Sequence, residues 1–181
     1  AGAITGPVAV CKGSTGNVYS IASVPTATSY TWTLPAGGSV TSGTGTTSIT
    51  VTYSTAAISG NVTVAGINSC GTGPSSSLPV TVNTLPTPVI SGPANACLGS
   101  TTNVYVTEAG MANYSWSVSS GGIITSGPGT NSITVTWNSA GAQNVSVNYS
   151  SATGCTAASP VNFNVTVPSY PSPTIAGMNN L

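Results

Sequence analysis

Charge is almost missing from this chain. Its 181 residues hold one Lys or Arg (Lys12), one Asp or Glu (Glu108) and no His, where a soluble domain is about one-quarter charged. With a single Lys, nothing neutralises a run of phosphates and releases its counterions, so nucleic acid is excluded as a partner. General acid–base catalysis needs a titratable pair, and a Ser nucleophile needs a base beside it. Neither is available, so no enzyme activity is expected. Calcium needs several carboxylates, and the four cysteines lack the close spacing of zinc ligands. No metal or other cofactor is expected. Long apolar runs are missing too: Thr, Ser, Gly or Asn interrupts every stretch before the ~20 residues a spanning helix needs. Membrane insertion is therefore not expected. What remains is a surface of hydroxyls and amides, which dissolves by hydrogen bonding and is nearly indifferent to salt.

The chain is written twice. Cys11, Gly13, Tyr19, Tyr30, Trp32, Gly37, Gly38, Ile49, Val51 and Cys70 recur in order as Cys97, Gly99, Tyr105, Tyr114, Trp116, Gly121, Gly122, Ile133, Val135 and Cys155. The offset stays between 84 and 86 positions, as in two copies of one domain with small loop changes. Ala3-Ile4-Thr5-Gly6-Pro7 likewise matches Val89-Ile90-Ser91-Gly92-Pro93. Linkers are placed at Asn83 to Pro88 and Pro168 to Pro173, giving repeats over 1–85 and 86–169. Residues 170–181 then read as a linker and the start of a truncated third repeat, and the chain as a slice of a longer tandem array.

Within each repeat every clear segment has period two. Tyr30, Trp32 and Leu34 alternate with Thr31 and Thr33; Ile49, Val51 and Tyr53 alternate with Thr50 and Thr52. The second copy repeats the pattern with Trp137 in the place of Tyr53. Alternation of β-branched and aromatic residues with Thr or Ser describes half-buried strands. Turn signals every eight to twelve residues, Gly71 to Pro74 among them, divide each repeat into about seven short strands. The prediction is all-β: two tandem immunoglobulin-like sandwiches joined by a short Pro-rich linker, with a Trp on the third strand. A Pro-x-Pro linker is stiff and extended, which favours a rod.

Two cysteines per repeat at matching places describe a disulfide framework and an oxidising, extracellular compartment. Pairing within a repeat (Cys11–Cys70, Cys97–Cys155) would close a loop of roughly 60 residues and stabilise by roughly 4 kcal/mol. Pairing between repeats is the rival. If the strands simply alternate in direction, Cys11 and Cys70 lie at opposite poles, and an end-to-end rod brings Cys11 near Cys155.

The aromatics Tyr30, Trp32, Tyr53, Tyr114, Trp116 and Trp137 sit on the alternating inner face and are expected in the core rather than on a sugar-stacking platform. Tyr19 and Tyr105 open the second strand without a clear side. Tyr170 lies in a linker, a candidate for packing between domains. Lys12 and Glu108, at non-equivalent places, are expected to be solvated surface groups. Asn61, Asn113, Asn144, Asn148 and Asn164 begin N-x-[ST] patterns, which chance supplies in a chain this rich in Thr, Ser and Asn.

The ordered set Val10-Cys11-Lys12-Gly13-Ser14, Tyr30-Thr31-Trp32-Thr33-Leu34-Pro35-Ala36-Gly37-Gly38, Ser48-Ile49-Thr50-Val51-Thr52-Tyr53 and Asn68-Ser69-Cys70-Gly71 resembles the PKD-like repeats. The likeness covers both copies. Where better-known members carry Trp-Asp-Phe-Gly-Asp-Gly, this chain has Trp32-Thr33-Leu34-Pro35-Ala36-Gly37, without carboxylates. The resemblance implies stacked immunoglobulin-like modules of large cell-surface adhesins of Bacteroidetes-type bacteria, gliding-motility adhesins included. The expected role is a non-catalytic, stiff extracellular spacer in a surface or filamentous adhesin. Its expected partners are neighbouring repeats, with surface polysaccharide or further copies beyond them. The alternative is a carbohydrate-binding accessory module of a secreted polysaccharide-degrading enzyme.

Overall fold

A computed structural model describes residues 2–173. The proposed opening of a third repeat, from Thr174 to Leu181, lies outside the described residues. The chain divides into two compact units, Ala1–Leu85 and Pro86–Leu181, and residues 84–90 carry no regular structure.

The first unit has seven strands: β1 (Ala9–Cys11), β2 (Asn17–Ser20), β3 (Ser29–Thr33), β4 (Gly38–Ser42), β5 (Ser48–Tyr53), β6 (Gly60–Asn68) and β7 (Gly71–Asn83). They form two sheets, ordered β1-β7-β6-β3 and β2-β5-β4. All pairings are antiparallel except β1 with β7, where Cys11 stands opposite Asn83. In the second unit are β8 (Asn103–Val106), β9 (Ala112–Val118), β10 (Gly122–Ser126), β11 (Ser132–Trp137), β12 (Gly141–Ser150) and β13 (Val161–Val167). Their sheets run β13-β12-β9 and β10-β11-β8. In place of β1 this unit has a single parallel bridge, Asn95 to Thr166. Each unit is a two-sheet sandwich of the predicted class.

Period-two patterning puts one face of each strand inside. Along β5 the buried residues are Ile49, Val51 and Tyr53; along β11 they are Ile133, Val135 and Trp137. Val62 and Val64 of β6, and Val145 and Val147 of β12, close each core from the opposite sheet. Each Val or Ile so buried stabilises by about 1.5–3 kcal/mol relative to exposure. The Thr residues between them are half-buried on the other face.

Sequence and structure part at the sixth connection. The turn expected at Gly71 to Pro74 is strand: β7 runs through it, and Ser69-Cys70 alone joins β6 to β7. The first half of β7 is exposed and has only β6 beside it, since β1 pairs no further back than Thr81. A proline is tolerated on such an edge because the edge has no ladder bond to lose.

Candidate functional site

The chemistry-bearing residues fall into three places: the cores, the surroundings of Glu108, and the two poles that carry cysteines. In the first core, Tyr53 is fully buried, while Tyr30 and Trp32 are partly buried against the cluster. In the second, Trp116 and Trp137 are buried and Tyr114 packs against them. The indole of Trp32 donates to the Thr46 carbonyl (2.9 Å), and that of Trp116 to Thr130 (2.8 Å). Each Trp thereby ties the turn ahead of β5 or β11 to the opposite sheet.

Tyr19 and Tyr105 prove to be the most buried aromatics of their strands, with no exposed surface. Their hydroxyls donate to the carbonyls of Pro7 and Pro93, at 3.1 Å in both repeats. Gly6 and Gly92 make room for the rings: a Cβ at either would overlap the tyrosine. The signal was present in the duplicated Gly-Pro, whose glycine admits a ring and whose proline offers a carbonyl. Tyr170 is largely exposed and donates its hydroxyl to the Leu98 carbonyl of its own unit (2.9 Å).

Glu108 is not the free surface group expected of it. Its carboxylate accepts from the Thr107 hydroxyl (2.7 Å), the Tyr149 hydroxyl (2.7 Å) and the Val89 amide (3.2 Å). Its own carbonyl accepts from Tyr114 (2.7 Å). Partial burial pushes its pKa up, but the hydrogen bonds outweigh burial and hold the carboxyl at about 2. Burial, then the neighbouring carboxylate, pushes Tyr149 up to about 12. The pair fastens the entering segment at Val89 to β12.

The cysteines overturn the expectation of a disulfide within each repeat. Cys11 and Cys155 are disulfide-bonded, whereas Cys70 and Cys97 are free and exposed. Within the first sandwich the reason is the register. Cys11 lies opposite Asn83 at one end of β7, and Cys70 immediately precedes Gly71 at the other. At ~3.3 Å per residue that strand is about 40 Å long, and disulfide Cα atoms must lie within about 7 Å. In the second sandwich Thr166 faces Asn95, near Cys97, and pairs with Ala142; Cys155 follows Ser150 at the far end of the same strand. Opposite poles cannot be bridged.

Beside Cys70 an open groove of ≈ 310 Å³ lies between the Val24–Ala27 loop and the β6–β7 turn, with Val24, Pro25, Ala27 and Ile67 among its walls. Among the described residues no cluster of three His, Cys, Asp or Glu side chains is placed to hold a metal ion, and no helix is long and apolar enough to cross a membrane.

The duplicated two-sheet sandwich defines the class: a tandem immunoglobulin-like module. The model of the PKD-like domain family matches residues 1–80 and again 83–165. The chain belongs to the PKD-like domain family, in two copies. A search of curated proteins finds no match. Among solved structures it is similar to fibronectin(III)-like modules of Clostridium thermocellum CbhA, at 14% identity over 91% of this chain and 93% of that one, TM-score 0.42. The D00-D0 domain of Intimin gives 14% identity over 92% and 99%, TM-score 0.44. The human Desmocollin-1 ectodomain gives 11% over 93% and 36%, TM-score 0.35. Likenesses this loose fix no shared partner or activity.

Proposed function

We propose that this chain is a non-catalytic structural segment of a larger bacterial surface adhesin, its two PKD-like sandwiches serving as a stiff extracellular spacer. One observation carries the reading: apart from the exposed thiols of Cys70 and Cys97, the carboxylate and the buried tyrosine hydroxyls are engaged in holding the fold. Glu108 is hydrogen-bonded into its own sandwich, and the hydroxyls of Tyr19 and Tyr105 are bonded to backbone in theirs. Disulfide bonding at Cys11 and Cys155 supports an oxidising, extracellular setting. The Pro86-Thr87-Pro88 stretch favours restricted angles between modules. A surface nearly free of charge suits contact with neutral polysaccharide or with further copies. Val18 on β2 and Val104 on β8, both exposed, lie on edge strands that carry no Lys to block such contact.

Single-molecule pulling in reducing buffer tests the spacer role. The expected trace shows two cooperative unfolding events per chain, at forces well above those of a helical bundle pulled at the same rate. A glycan array should give no hits. Tight, selective retention of one polysaccharide class by this chain would overturn the reading in favour of a carbohydrate-binding accessory module.

A further inference from the structure

We propose that Cys70 and Cys97 are the two half-sites of a disulfide that joins one PKD-like repeat to another, with fixed polarity: the Cys70 pole of one copy takes the Cys97 pole of a second. The proposal rests on the spacer reading only for its oxidising compartment.

The repeats supply the comparison. Cys11 and Cys97 occupy one and the same turn: Ser14 and Ser100 donate their amides to the Cys11 and Cys97 carbonyls at 3.1 Å in both. Gly13 and Gly99 follow with φ of 76° and 74°. Cys70 and Cys155 correspond in sequence order, each following the long strand β6 or β12, with Cys70 in the two-residue turn into β7 and Cys155 in the longer loop before β13. One member of each kind is disulfide-bonded in this chain, Cys11 of the first and Cys155 of the second. The other member of each kind is free and exposed. Since the two kinds sit at opposite poles, a repeat cannot satisfy its own pair. Cys97 therefore stands in the turn whose equivalent at Cys11 forms a disulfide, and Cys70 stands at the sequence position of the bonded Cys155.

The Cys70 pole has room for a second repeat. At the Cys70 pole the apolar walls of the ≈ 310 Å³ groove border the thiol. The occupant is the turn of a second copy that presents the exposed Cys97, the same turn that carries the bonded Cys11 in the first repeat. At the other pole, Tyr170 donates to the Leu98 carbonyl, so the chain leaves the second sandwich alongside Cys97. Cys155 has no exposed surface, whereas Cys70 is open.

Joining the two thiols releases two protons and two electrons. A small disulfide such as oxidised glutathione accepts them by exchange and leaves as two thiols.

The test uses the purified 181-residue chain at high concentration with oxidised glutathione, read on non-reducing gels and by intact mass. Wild type is expected to form a ladder of multimers that reductant collapses. Cys70→Ser and Cys97→Ser, each alone, should remain monomeric. Mixed in equal amounts, with one variant ¹⁵N-labelled, they should double in mass to a species containing one of each and stop there. No ladder, or homodimers from either variant as abundant as the mixed dimer, overturns the proposal. Circular dichroism of each variant checks that the exposed serine leaves the fold intact. Because the oxidant is supplied, failure here leaves the extracellular spacer role standing, and failure of that role leaves this result unchanged.

Discussion

The hydroxyls of Tyr19 and Tyr53 stand 3.0 Å apart in the interior of the first sandwich. Tyr19 spends its one proton on the Pro7 carbonyl, so Tyr53 must donate to Tyr19. The result is a relay from β5 through β2 to the opening segment. In the second sandwich Trp137 replaces Tyr53, and its indole N–H donates to Tyr105 at 3.2 Å. Two different side chains thus deliver a proton to the same acceptor. Tyr19→Phe removes that acceptor and strands the Tyr53 hydroxyl without exposed surface. The expected cost is about 1–3 kcal/mol, seen as a lower urea midpoint with unchanged slope. Chemical shifts of the second sandwich should not move.

The duplicated Gly-Pro makes a sharper case. Gly92→Ala puts a Cβ into the Tyr105 ring and close to the Val104 carbonyl oxygen, so the ring must shift. Overpacking of this kind costs about 1–3 kcal/mol. Ala introduced instead at Gly129, where nothing lies within 4 Å of a Cβ, should leave the thermal midpoint within a few degrees of wild type.

Acid stability reports on one residue. Glu108 is the chain's one side-chain carboxylate, and its pKa is held at about 2 in the fold against about 4.3 unfolded. A depressed carboxyl contributes stability that is complete above the unfolded value and lost as pH falls through the folded one. Unfolding free energy should therefore be flat from neutral pH to about 5 and decline between about 4.5 and 2. Glu108→Gln should be less stable at pH 7 by about 1–2 kcal/mol and nearly level across that acid window, apart from the terminal carboxyl. At the alkaline end the sign reverses. The raised pKa values of Tyr19, Tyr53, Tyr105 and Tyr149 mean stability is lost above the ordinary tyrosine value of about 10.

Periodicity made the sandwiches legible because each strand has one wet and one dry face, and Thr marks the wet one. The repeat made the boundaries legible because equivalent residues must do equivalent work. Contacts set by three-dimensional proximity were not legible. Glu108 has no counterpart in the first repeat, so nothing in the sequence tied it to Tyr149, forty-one positions away. Cysteine pairing was legible in one of its two readings: alternating strand directions already put Cys11 and Cys70 at opposite poles, and only the within-repeat pairing fails. Loop length favoured Cys11–Cys70, but strand direction decides which residues share a pole, and β7 runs the full distance between them.

Thr26 carries a positive φ of 69°, in a loop where the second repeat has Gly110 at 77°. A β-branched residue in the left-handed region is strained by about 1–2 kcal/mol. Glycine removes that strain but gains freedom when unfolded, which returns roughly half of it. Thr26→Gly should therefore stabilise the first sandwich by about 0.5–1 kcal/mol. By the same balance the reciprocal Gly110→Thr should destabilise the second by about 0.5–1 kcal/mol. Both positions are exposed, so neither change disturbs core packing, and the two denaturation midpoints should move in opposite directions. Movement in the same direction would show that some feature other than backbone strain, such as a contact of the Thr26 side chain along the groove, sets the stability of this turn.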